Sequence, residues 1–452
     1  MLTQIREIWR RLNASYWFYP ALFAISALAL AIFTVWIDRT GRADWIGDLT
    51  AVHIARPDGA NTLLSVIASS MIGVAATVFS ITIAAVAYAS GNYGPRLLTN
   101  FMEDRGNQLS LATFIGTFVY AITVLRTVRA EDESTTTGIA MAGHDTLPGF
   151  VPQLSLLIAY ALLAIAIMVL VYFLNHIPAS IRVNTVLEGI GERLLKGIVN
   201  RFPNDNVGQL PLTRPEGHPI CATGTGYVQL IDFNQLHNIA ERKDGKLMLG
   251  IRPGDFVHPG VPLCYWYDVS IIEESPDEEI RGAFTLGGMR TPGQDIQFLI
   301  DELVEIGCRA LSPGINDPFT AVTAIHWLGA AISELGKRDL RMRFGDAVRP
   351  EDDFLYLLDD DYDHFLFRGF GAMRNAVAGN RIACLVTFDT LYNASLSLND
   401  DSRKAQIRQE GDRLAEQARC FLEGPALDDV EARYVSFCHK MEGPALPLGD
   451  NG

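Results

Sequence analysis

The chain has 452 residues, six cysteines and a formal net charge of −15. Residues 1–174 carry 10 basic and 11 acidic side chains, so 27 and 41 remain for residues 175–452, which hold −14 of the total. An acidic surface of that kind repels nucleic acid and anionic headgroups, so no DNA or RNA partner is expected.

Four apolar runs without Asp, Glu, Lys or Arg lie at roughly 18–37, 63–89, 109–125 and 154–174. A bilayer core takes about 20 mainly apolar residues in a helix, and charged residues there are costly. The runs predict four transmembrane helices and a lipid bilayer as the surroundings of residues 1–175. The first run follows Arg6, Arg10 and Arg11 and exceeds the roughly 7–15 residues of a signal-peptide core, so a retained span is expected. Basic residues near the spans number nine on one side (Arg6, Arg10, Arg11, Arg96, Arg105, Arg182, Arg193, Lys196, Arg201) and five on the other (Arg39, Arg42, Arg56, Arg126, Arg129). That bias predicts a bacterial inner-membrane protein with both termini in the cytoplasm. All six cysteines fall after residue 220, without a CxxC pair, as free thiols in a reducing compartment would.

The second run differs from the others. Ser69, Gly73, Ala76, Thr77, Ser80, Ala84 and Ala87 recur at helical spacing. Ser69, Gly73, Thr77 and Ser80 are candidates for close helix packing or for a pore lining. The breakers Gly91-Asn92-Tyr93-Gly94-Pro95 end this span. After the fourth run, Val183, Leu187, Ile190, Leu194 and Ile198 form a helical stripe. Residues 176–217 therefore read as a connecting helix and linker, kinked at Pro178, that docks on the soluble part or acts as a lever.

Residues 218–290 read as a small β-module with strands near 220–223, 227–231, 246–250 and 262–267. The spacing Gly254-Asp255-Phe256-Val257-His258-Pro259-Gly260-Val261-Pro262-Leu263 resembles half of a barrel-sandwich hybrid, the fold of lipoyl and biotinyl carriers and of efflux adaptors. Those carriers need a modifiable lysine in a Met-Lys-Met setting, which Lys243 and Lys246 lack. No covalent cofactor is expected. Residues 291–445 read as a helical domain, with helices near 292–310, 317–336, 361–377, 381–398, 402–422 and 427–440. Asp401-Ser402 is a candidate cap. Asp359, Asp360, Asp361, Asp363 and His364 fit helix capping better than a metal site, because no second ligand cluster accompanies them.

One constellation joins the last two parts: Arg290-Thr291-Pro292-Gly293-Gln294-Asp295, then Arg309-Ala310-Leu311-Ser312-Pro313-Gly314-Ile315-Asn316-Asp317-Pro318. Pro292 suits a first helical turn. Asn316 tolerates left-handed geometry, and Asp317 with Pro318 starts a new helix. Arg290, Gln294, Asp295, Arg309, Asn316 and Asp317 are the candidate site, either a structural network of ion pairs or a small-anion site. These motifs and the order of parts resemble an uncharacterised bacterial family of predicted four-span inner-membrane proteins. The resemblance covers nearly the whole chain. Gly307-Cys308 stands here where Ile-Ala is more usual, and the family brings no established activity.

The expected class is thus a membrane α-helical protein with four N-terminal spans and a cytoplasmic α+β region. Its leading functional reading is an oligomeric channel or transporter-like protein with a cytoplasmic sensing domain. The alternative is a membrane-anchored scaffold or adaptor. An enzyme ranks below both, since no Walker loop, HExxH, GxSxG or dinucleotide fingerprint is present. A homo-oligomer is expected, because four spans rarely enclose a pore alone.

Overall fold

The computed structural model describes residues 16–42, 56–94, 104–129, 150–202, 217–268, 276–340, 354–358 and 360–442. The N-terminal arginines at 6, 10 and 11, Arg96 and Asp359 lie outside them. The chain forms two compact units, one made of residues 1–91 and 95–182, the other of 92–94 and 183–452.

The first unit contains four helices long and apolar enough to cross a bilayer: α1 (Phe18–Arg39), α2 (Pro57–Tyr93), α3 (Arg105–Leu125) and α4 (Gln153–Ser180). Two begin earlier than their apolar runs. Pro57 fits the first position of α2, where its missing N–H costs nothing. Asp104 caps α3 by accepting the Gly106 N–H at 2.7 Å. Helix α3 is the central element, packed closely on α1 and α4, while α2 makes no comparably close backbone approach to these three. The shared core includes Ala31, Leu64, Ile67, Phe114, Tyr120, Ala159 and Phe173. Ile25, Phe33, Ile72, Ile83, Ile167 and Met168 point outward, an apolar exterior suited to lipid. Gly94, at φ +123°, ends α2 as the breaker run predicts. Pro178 sits in the last turn of α4, and the helix stops at Ser180.

The second unit opens with α5 (Val183–Arg201). The predicted stripe is its buried face: Leu187, Ile190, Leu194 and Ile198. A β-region follows with β1 (His218–Cys221), β2 (Gly226–Ile231), α6 (Phe233–Arg242), β3 (Gly245–Leu249), β4 (Phe256–Val257), β5 (Pro262–Asp268), α7 (Asp277–Arg281) and β6 (Phe284–Gly287). The strands make two sheets, in the orders β1-β5-β3-β7 and β4-β2-β6, around one core that includes Ile220, Val228, Leu247, Val257 and Trp266. Strand β7 (Leu355–Tyr356) arrives from far along the chain and pairs parallel to β3. Helix α6, capped by Asp232, fills the stretch between β2 and β3. The likeness to a barrel-sandwich half is confined to strand positions and to the turn at Gly254, whose φ of +95° calls for glycine.

The rest is helical: α8 (Ile296–Ala310), α9 (Pro318–Gly336), α10 (Tyr362–Leu366), a π turn (Phe367–Gly371), α11 (Ala372–Ala378), α12 (Arg381–Ser395), α13 (Asp401–Phe421) and α14 (Pro425–Glu442). Helix α8 starts at Ile296, four residues after Pro292, because Asp295 is the cap and 292–294 form a turn. The cap of α13 is Asp400, one residue before the predicted position. Its carboxylate accepts from Ser402 and Arg403 N–H, which leaves Asp401 as the first helical residue.

Candidate functional site

The six predicted residues fall into two groups at opposite ends of α8. That helix has 15 residues, a span of roughly 22 Å.

At its N-terminal end, Asp295 caps the helix through Phe298 N–H at 3.1 Å. The same carboxylate faces Arg290, whose Nη2 and Nε lie 2.6 and 2.8 Å from Oδ2. Arg290 also pairs with Asp301, in the second turn of α8. Asp301 receives Arg368 from the π turn in a bidentate clasp, with both contacts at 2.7 Å. The Gln294 side chain pairs with the backbone of β2 in both directions: Ile231 N–H donates to Oε1 at 2.8 Å, and Nε2 donates to Ile231 O at 3.0 Å. Its main-chain carbonyl accepts from Arg201 Nη1 at 2.8 Å. Arg201 and Arg252 both reach Asp360, at 3.5 and 2.9 Å. Four arginines and three aspartates from α5, the β-region, α8, the π turn and the segment before α10 thus meet around one helix start.

Burial dominates the electrostatics there. It pushes the carboxyls of Asp295 and Asp360 above the ordinary aspartate value, against the opposing pull of Arg290 on the first and of Arg201 and Arg252 on the second. It also lowers the Arg201 guanidinium. A Cβ on Gly254 would collide with the Asp295 carboxylate, so glycine is what lets the Gly254-Asp255 turn come this close to Asp295. The predicted acidic run divides. Asp361 caps α10 by accepting Asp363 N–H, whereas Asp360 joins the arginines.

At the C-terminal end, the tight joint is built as the residues imply. Asn316 has φ +49°. Its N–H donates to Ser312 O at 2.9 Å, and Asp317 N–H donates to Ala310 O at 2.8 Å. Asp317 caps α9, accepting Thr320 N–H at 3.2 Å and the Thr320 hydroxyl at 2.6 Å. Arg309 is not part of the arginine–aspartate lattice. It lies 3.5 Å from Glu305 on its own helix and is partly exposed.

The second candidate set stays together. Ser69, Gly73, Thr77 and Ser80 share one face of α2, and that face is exposed in the single chain. The hydroxyls bond to their own helix: Ser69 to Ser65 O, Thr77 to Gly73 O and Ser80 to Ala76 O, at 2.8, 3.0 and 2.9 Å. A Cβ on Gly73 would meet nothing within 4 Å. Within one chain, therefore, this face does not pack on α1, α3 or α4.

Sequence reasoning missed two polar groups in the membrane unit. Asp38, in the last turn of α1, accepts the Leu154 and Ser155 N–H groups at the start of α4, both at 3.0 Å. Asp104 Oδ2 lies 2.7 Å from His176 Nε2 on α4, and His176 Nδ1 lies 3.2 Å from Tyr172 Oη. The signal was their position just beyond each apolar run, where a charge is cheap enough to be overlooked.

The family model described as Predicted membrane protein (DUF2254) matches residues 13–393. Uncharacterized proteins of Mycobacterium tuberculosis and Mycobacterium bovis are each 29% identical over 293 residues, 63% of this chain and 54% of theirs. The chain thus spans about half the length of the curated relatives it matches. No solved structure matches.

Proposed function

The chain belongs to this family of predicted membrane proteins of unknown function, and from that premise we propose that it is an oligomeric, channel-like or transporter-like inner-membrane protein whose soluble unit senses or gates. One observation carries the reading: the small, hydroxylated face of α2 is left uncovered by its own chain. A face meant for lipid needs no glycine and no hydroxyls, whereas a neighbouring copy or a polar path is served by both. Symmetric copies would place the α2 faces around an axis. Helix α5, which follows the last span directly, is held into the second unit by Arg338, whose Nη1 donates to Phe202 O at 2.6 Å. That clamp supports a gating role for the soluble unit. Under this reading both termini are cytoplasmic.

Native mass spectrometry and planar-bilayer recording of the full chain test it. Wild type is expected to be a discrete homo-oligomer with unitary conductance. Gly73→Leu is expected to lose assembly or conductance. Met168→Ala, on the lipid-facing side of α4, is expected to keep both. A monomeric, non-conducting wild type would remove the channel reading and favour the scaffold.

A further inference from the structure

Helix α3 carries a second polar stripe, inside the bundle. Asn107, Ser110, Thr117 and Tyr120 recur on one face, and each is at most 2% exposed. At the N-terminal end of α3, its cap Asp104 meets His176, near the C-terminus of α4, at 2.7 Å. Gly106 leaves room for this pair, since a Cβ would sit 2.7 Å from both His176 Nε2 and Tyr172 Oη. Close by in sequence, the Asn107 side-chain carbonyl is buried and accepts no hydrogen bond from any described residue. At the other end, Tyr120 Oη lies 3.0 Å from Thr34 Oγ1, and Ser155 Oγ lies 3.1 Å from Thr34 Oγ1 and 2.7 Å from Asp38 Oδ2. Buried polar groups thus recur along α3 from Asp104 to Tyr120, about 24 Å by helix rise and most of the hydrocarbon thickness, with the Ser110 and Thr117 hydroxyls donating back to Gly106 O and Thr113 O. The widest gap between polar groups lies between Ser110 and Thr117, where the fully buried Phe114 occupies the same stripe.

We propose that the α1–α3–α4 interior is a proton path, held shut by Phe114. The chemistry favours a proton over a metal cation. The carboxylates at both ends already accept backbone N–H groups, and the groups between them are neutral and too far apart along the helix to surround a metal ion. Proton transfer needs only groups that can both accept and donate. Each hydroxyl or water that receives a proton releases another, so nothing is consumed and one charge crosses. The path lies within a single chain and goes beyond the oligomeric reading, which concerns the exposed α2 face.

The test is proton flux into vesicles holding the full-length protein and a pH-sensitive dye, driven by a potassium diffusion potential. Phe114→Ala is expected to raise the flux about tenfold over wild type. Adding Tyr120→Phe, which deletes one hydroxyl, is expected to remove most of that gain. Potassium flux should stay at the wild-type level. A helical, monodisperse Phe114→Ala protein with wild-type proton flux would overturn the proposal. So would a gain that survives Tyr120→Phe, or one matched by potassium. Should Phe114→Ala fail to assemble, Phe114→Leu carries the same expectation at a few-fold gain, with the same overturning results.

Discussion

Asp360 shows how a single side chain can work against its surroundings. Two guanidiniums pull its proton off, yet burial outweighs them and its folded-state value is raised. A raised acid binds more protons folded than unfolded, so its contribution is fully present below the ordinary aspartate range and is lost as pH rises through the raised value. Asp360→Asn removes that titration. The thermal midpoint of the variant relative to wild type is therefore expected to improve as pH rises from about 4 to about 7. A gap moving the other way would mean that Arg201 and Arg252 outweigh desolvation. Asp295 combines the same raised pKa with a capping role, which makes it the less clean position to substitute. In the sequence Asp360 was one of a row of acids, and only the fold separates it from Asp361. Propensity rules describe a helix start, and they do not say which neighbour an arginine 159 residues away will choose.

Among elements, the joint between α8 and α9 was the most legible. Asn316, Asp317 and Pro318 carry local instructions, a left-handed residue, a cap and a first-turn proline, that need no distant partner. Asp317→Ala is expected to cost about 0.5–2 kcal/mol through loss of the cap, read as a lower denaturation midpoint of the full chain. An unchanged midpoint with loss of conductance would instead make the joint a ligand or partner site. The other half of the motif was legible as polar and illegible as to partners. Gln294 bonds to the backbone at the end of β2, and Arg290 is tied through Asp301 to a π turn whose extra residue no 3.6-residue pattern reveals. Likewise β7 is two residues long and pairs with β3 from more than 100 positions away, so no window-based signal could have joined them.

At the scale of the whole molecule, the four spans could be read because bilayer thickness imposes a length that any sequence must meet. The polar interior of the membrane unit could not. Asn107, Ser110, Thr117 and Tyr120 lie within or just before an apolar run, and their shared face becomes visible only once α3 is known to be the central helix. The bond from Asp38 to the first amides of α4 has a further consequence, for biogenesis. This residue in the last turn of the first span finds its partners only when the fourth span arrives, 116 residues later. Spans enter the bilayer in order of synthesis, so the bundle stays open at that end until the last one is delivered. A chain stopped after residue 152 keeps three complete spans and leaves the Asp38 carboxylate without either amide. Such a chain is expected to be inserted and then cleared by membrane proteases, at a steady-state level well below that of a chain stopped after residue 182. Pulse-labelling the two truncations compares them directly, and equal lifetimes would mean that the first three helices hold together without the fourth.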